Sequence, residues 1–162
     1  PDIGAREATL TIMVGGSETG FAQARPVLEL LGRKIVYIGD SGLGQTMKLV
    51  GNFVSGLTLM VAAEGVRLGQ AAGLSLEQMG EVLPFSSAQS FELSKVLDRL
   101  GRQMFEPGFS VANRTKDMRL AVEMAEELNF GLALGAVGFQ VWAGHQARYP
   151  GLDESSIVRH WD

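Results

Sequence analysis

The sequence predicts a short β-α-β segment followed by an all-helical bundle, a mainly α protein whose strands are confined to residues 1–41. Three observations lead there. β-Branched apolar runs occur only near the start, helical periodicity takes over after Gly42, and capping and glycine signals divide the remainder into segments of helix length.

Thr9 to Val14 (TLTIMV) suits a buried strand and ends at Gly15-Gly16. Ser17 then serves as an N-cap, and Phe21, Ala24, Val27, Leu28 and Leu31 recur at helical spacing up to Gly32. Pro26 falls inside that stretch, so either the first part is a separate turn or Pro26 starts the regular helix. Lys34 to Ile38 (KIVYI) reads as a second strand. Two short strands alone are marginal, so their partners are expected upstream of Pro1; the alternative is that they pair with each other. Residues 44–72 read as one long helix, apolar on nearly every face and therefore buried, with Gly51, Gly56, Gly65 and Gly69 permitting close approach. Shorter helices follow at Ser75 to Leu83, with Gln78 at the capping-box position, then at Ser87 to Leu100, Val111 to Leu128 and Gly131 to Tyr149. A last one lies near Asp153 to His160.

Composition narrows the function. The chain has 162 residues, 46% of them hydrophobic, and a formal net charge of -4 with both signs mixed throughout. No basic stripe is present, which argues against nucleic acid as a partner. Without cysteine and with only His145 and His160, no zinc cluster is expected. The longest apolar stretch is broken by Glu64 and by glycines, so no membrane span is expected and a cytoplasmic setting fits. Pro1 is not a start methionine and no signal peptide opens the chain, which reads as cut from something longer.

The segment Gly42-Leu43-Gly44 through Lys48 to Asn52 carries the most chemistry. A glycine turn opens the long helix, and Lys48 and Asn52, four residues apart, project from one face. An ammonium donor beside an amide that both donates and accepts can hold a hydroxy acid and move a proton on its hydroxyl. From spacing alone, a snorkelling lysine beside a structural asparagine is the commoner reading.

The pattern G-x-G-x-x-x-K-x-x-x-N resembles that of the β-hydroxyacid dehydrogenases, the family of 3-hydroxyisobutyrate dehydrogenase and tartronate semialdehyde reductase. Other segments are similar in order and spacing: Gly4-Ala5 followed by Thr9 to Gly16, with Ala8 where a glycine is usual; Ala63-Glu64-Gly65, Leu68-Gly69 and Ala72-Gly73-Leu74; Gly108-Phe109 followed by Lys116-Asp117-Met118; and Asp153 to Val158. The resemblance spans essentially the whole chain. It implies a helical bundle of the 6-phosphogluconate dehydrogenase C-terminal type, residues 42–162, for substrate and oligomerisation, preceded in residues 1–41 by the β-α-β remnant of a Rossmann domain.

It further implies that Lys48 is the catalytic proton donor or acceptor and that Asn52 holds the substrate. Phe109 would help cover the site, although core packing explains it nearly as well. Lys116 would approach the cofactor, with a solvated lysine as the alternative, and Asp117 reads as a capping or structural carboxylate. The cofactor would be NAD or NADP, with its main site outside this chain. The family's G-x-G-x-x-G turn is absent and its Ser-Gly-Gly segment is expected just before or across Pro1, so the chain alone should be inactive. Its partners would be a small hydroxy acid, the N-terminal Rossmann domain and further copies of itself in a dimer or tetramer. Two alternatives stand beside this: a noncatalytic oligomerisation module built on the long helix, and an imine-reductase-like enzyme, which the lysine at position 48 disfavours.

Overall fold

The computed structural model describes residues 6–106 and 108–162, and the Gly4-Ala5 pair of the first resemblance segment lies outside them. By internal packing the chain divides into two compact units, one ending at Gly51 and one running Asn52–Asp162.

In the first unit, β1 (Leu10–Gly15) and β2 (Gly32–Gly39) pair with each other in parallel, with Ile12 opposite Ile35 and Met13 opposite Val36. The strands are therefore each other's neighbours, the arrangement that had been the alternative in the sequence. A parallel pair needs a crossover, and α1 (Glu18–Leu28) supplies it. Ser17 caps α1 as its position predicts, its Oγ accepting from the Gly20 N–H at 3.1 Å. The helix runs through Pro26 in its last turn, where the ring leaves the Ala22 carbonyl without the backbone donor a regular helix would give it. It stops at Leu28 and leaves Leu30 and Leu31 exposed beyond it. Phe21 stacks on Tyr37 with ring centroids 5.2 Å apart, and the Tyr37 hydroxyl donates to the Gly16 carbonyl at 2.7 Å. These contacts seat α1 on the sheet.

The long helix α2 (Leu43–Ala71) begins in this unit. Gly42 adopts φ +95°, a turn conformation that costs a residue with a Cβ dearly. Gly44 passes so close to the end of β1 that a Cβ there would lie 2.7 Å from the Met13 carbonyl oxygen. The two glycines of G-x-G thus do different work, one turning the chain and the other admitting the helix to the strand.

The second unit contains the rest of α2, then α3 (Leu76–Val82), α4 (Phe91–Arg102), α5 (Val111–Glu127), α6 (Ala133–Arg148) and a closing 3-10 segment, Glu154–Trp161. The Ser75–Gln78 capping box forms in both directions. Helix α4 starts later than its predicted onset at Ser87, because Ser90 takes the cap and accepts from the Leu93 N–H at 3.0 Å. Leu59, Ala63, Val66, Val96, Val111, Met118, Trp142, Ile157 and Val158 form the centre of the core. Trp142 is fully buried, and its indole N–H donates to the Gly56 carbonyl at 3.2 Å. Full burial of each such apolar side chain contributes about 1.5–3 kcal/mol.

Helix α2 departs from the sequence expectation of burial on every side. Leu59, Ala63 and Val66 face the core, while Leu43, Met47, Val50, Val54, Val61 and Leu68 are exposed along another face. As one continuous helix, Leu43–Ala71 is also long and apolar enough, by length and composition, to cross a membrane. Glu64 and the glycines, which break the apolar run in sequence, do not interrupt the helix.

Candidate active site

On α5, Arg114, Asp117 and Met118 lie three and four residues apart, so all point to one side, and that side meets α2. Gly56 makes the approach close: a Cβ there would lie 2.9 Å from Arg114 Cδ and 2.9 Å from Met118 Sδ. The proximity brings Asp117 to Asn52, 65 residues away in sequence, and Asn52 Nδ2 donates to Asp117 Oδ2 at 2.7 Å. Asp117 is buried and its other oxygen lies 2.9 Å from Lys116 Nζ. A carboxylate only accepts, so it draws the amide nitrogen of Asn52 and leaves the amide oxygen and the second N–H for another partner. The bond fixes how Asn52 is presented.

Lys48 sits one turn before Asn52 on α2, at the spacing that places the two side chains on one helix face. Its side chain is exposed, and among the described residues it has no hydrogen-bond or ion-pair partner. Lys116 is exposed too, but is anchored by Asp117. The pair Asn52–Asp117 therefore joins two predicted site residues, Asn52 and Lys116, through a third that the sequence assigned only a structural part.

Phe109 is half-buried, and its backbone is held by Asp153 and Glu154 near the end of the chain. The N–H groups of Gly108 and Phe109 donate to Asp153 Oδ2 at 3.0 and 3.2 Å, and the Glu154 N–H donates to the Phe109 carbonyl at 2.8 Å. Burial pushes the Asp153 carboxyl up, but hydrogen bonds from Ser155, the charge of Lys95 and the Gly108 N–H together hold it below the ordinary carboxylate range. The D-x-S segment, a similarity of unstated purpose in the sequence, organises the Gly108-Phe109 loop.

The Arg114 guanidinium lies 5.0 Å from the centroid of the Phe109 ring. Arg114 is 3% exposed and bonds Glu154 Oε2 through Nε at 2.6 Å, while Lys95 takes Glu154 Oε1 at 2.5 Å. Neither Arg114 nor Glu154 stood out in the sequence, because a buried ion pair spanning 40 residues leaves no periodic trace. Among the described residues no group of three or more His, Asp or Glu side chains is placed to hold a metal ion.

Residues 42–161 match the family model described as NAD-binding of NADP-dependent 3-hydroxyisobutyrate dehydrogenase, and residues 2–39 match that of the NAD binding domain of 6-phosphogluconate dehydrogenase. The chain is 34% identical to 2-(hydroxymethyl)glutarate dehydrogenase of Eubacterium barkeri over 98% of its own length and 54% of the relative's. It is 37% identical to 3-hydroxyisobutyrate dehydrogenase of Pseudomonas aeruginosa over 96% of this chain and 56% of that protein. A solved structure of Mycobacterium tuberculosis 3-hydroxyisobutyrate dehydrogenase with L-serine superposes with a TM-score of 0.91 at 29% identity, covering 98% of this chain and 57% of the other. Both parts of the chain thus match family models of dehydrogenases. The chain belongs to the β-hydroxyacid dehydrogenase family. It spans about half the length of the curated relatives it matches.

Proposed function

We propose that this chain is the lysine-bearing portion of an NAD(P)-dependent oxidoreductase that interconverts a small β-hydroxy acid and its semialdehyde or keto form. Residues 1–41 would close its nucleotide-binding domain, and residues 42–162 would form the substrate and oligomerisation domain. The observation that supports this most is the Asn52–Asp117 bond, which fixes how the amide of Asn52 is presented to a ligand.

The nicotinamide cofactor, when bound, supplies or accepts the hydride. Two cations of this chain would suit a phosphate of such a group: Lys116 and Arg119 stand beside a groove between α5 and α6 that is otherwise lined largely by apolar side chains, Phe139 and Ala143 among them. During reduction the Lys48 ammonium gives a proton from Nζ to the carbonyl oxygen as negative charge develops there, and in oxidation the neutral Lys48 amine takes the hydroxyl proton. Asn52 offers its amide oxygen and remaining N–H to the substrate, held in place by Asp117. Phe109 helps exclude water. The chain alone is inactive on this account, because the residues that cradle the pyrophosphate and the substrate carboxylate belong to the remainder of the protein.

The exposed apolar face of α2 supports a second, compatible role in assembling a homo-oligomer, since a seam spaced three and four residues apart suits helix packing. The experiment that separates chemistry from assembly alone uses the full-length protein with NAD+ or NADP+ and a panel of small β-hydroxy acids, following reduced cofactor. Cofactor reduction by at least one of them, with none from simple amines, is the expected result. A stable oligomer that reduces neither cofactor with any hydroxy acid, and oxidises neither reduced form with the semialdehydes, contradicts the enzymatic reading.

A further inference from the structure

We propose that Arg114 is a positioning residue that sets the turn of α2 carrying Asn52, an inference that rests on the substrate role given to Asn52 above. Arg114 reaches α2 twice, with one terminal nitrogen donating to the Asn52 carbonyl and the other to Ser55 Oγ at 3.1 Å. A helix carbonyl has two lone pairs, so Asn52 accepts this bond in addition to any within the helix. Asp117, one turn further along α5, holds the Asn52 side chain. The same residue is thereby gripped at its backbone and at its amide from one face of one helix.

The guanidinium is well suited to this because it is planar, always charged and able to serve several acceptors in fixed directions. Its third partner keeps it there. Glu154 Oε2 lies 2.6 Å from Nε and 2.5 Å from the terminal nitrogen that also serves Ser55, and Lys95 neutralises the second oxygen of Glu154. Ser55 in turn donates to Glu92 Oε1 at 2.5 Å. Gly56 leaves the space through which the arginine stem passes. The guanidinium also lies over Phe109, so one side chain ties the α2 turn, the Phe109 loop and the chain's final segment to a common position.

Lysine at position 114 preserves the charge beside Glu154 but cannot bond Glu154, Ser55 and the Asn52 carbonyl together. In the full-length protein, Arg114→Lys is expected to lower kcat/KM for the hydroxy acid about tenfold while leaving cofactor affinity unchanged. In an Asn52→Ala background the same substitution should change kcat/KM by less than about twofold, because its effect passes through Asn52. The side-chain amide NMR signals of Asn52, assigned by their loss in Asn52→Ala, should shift in Arg114→Lys whether or not substrate is present. Should Arg114→Lys fold poorly, Arg114→Met combined with Glu154→Gln removes both buried charges together and carries the same expectations.

An unshifted amide signal with unchanged kcat/KM overturns the positioning role alone. So does a loss that persists at full size in the Asn52→Ala background. Full turnover retained in Asn52→Ala itself overturns both this inference and the substrate role of Asn52.

Discussion

His145 shows how one side chain's surroundings become a property of the protein. It is fully buried, with Nε2 3.0 Å from Ser156 Oγ and no partner for Nδ1 among the described residues. Burial, then the charges of His160, Arg148 and Arg159, lower its pKa from 6.5 to about 4, and burial with Arg148 lowers that of His160 as well. The unfolded chain therefore takes up a proton before the folded one does. The neutral imidazole's contribution is complete above pH 6.5 and is lost as pH falls towards about 4. Unfolding in urea should show a loss of about 2 kcal/mol between about pH 7 and about pH 5. A His145→Gln variant should show a much flatter dependence, and an undiminished slope in that variant would assign the loss to other groups. The two histidines were visible in the sequence only as too few for a zinc cluster. Asp117 was similarly half legible: the K-D-M segment marked it, yet its partner lies 65 residues upstream, and only the folded packing of α5 on α2 joins them.

At the scale of elements, local rules were readable and contacts between helices were not. Ser17 and the Ser75–Gln78 box cap their helices because a side-chain oxygen near an unpaired N–H is a short-range matter. The start of α4 moved from Ser87 to Phe91 because several serines compete there and the choice falls to the one whose following turn buries Leu93 and Val96. The predicted last helix formed as a 3-10 segment whose Asp153 cap also serves the Phe109 loop. Helix α2 was read as buried throughout because apolar composition does not say which face finds a partner within the same chain. Its glycines proved unequal: Gly51 and Gly65 have open space around them, whereas Gly56 receives Arg114 and Met118. Gly56→Ala should therefore destabilise the helical unit by about 1–3 kcal/mol through overpacking, read as a lower thermal or urea midpoint. Gly65→Ala should be neutral or slightly stabilising, since alanine is the better helix former. Equal effects at the two positions would contradict the packing described for α5.

At the scale of the whole molecule, the order of elements and the family were legible because motif segments recur along the entire chain, and the family match over residues 42–161 agrees with them. The chemistry is divided differently. Lys48 and Asn52 were marked by spacing within one helix, but the groups that hold Asn52 come from α5, which the sequence places more than sixty residues away. The proton-moving role of Lys48 stands at the centre of the proposed chemistry. Its most direct test is Lys48→Ala in the full-length protein, with cofactor affinity, oligomeric state and turnover of the best hydroxy acid measured on the same preparation. Cofactor affinity and assembly should be preserved while kcat falls by about a hundredfold or more. Turnover equal to that of the unsubstituted protein would contradict the account.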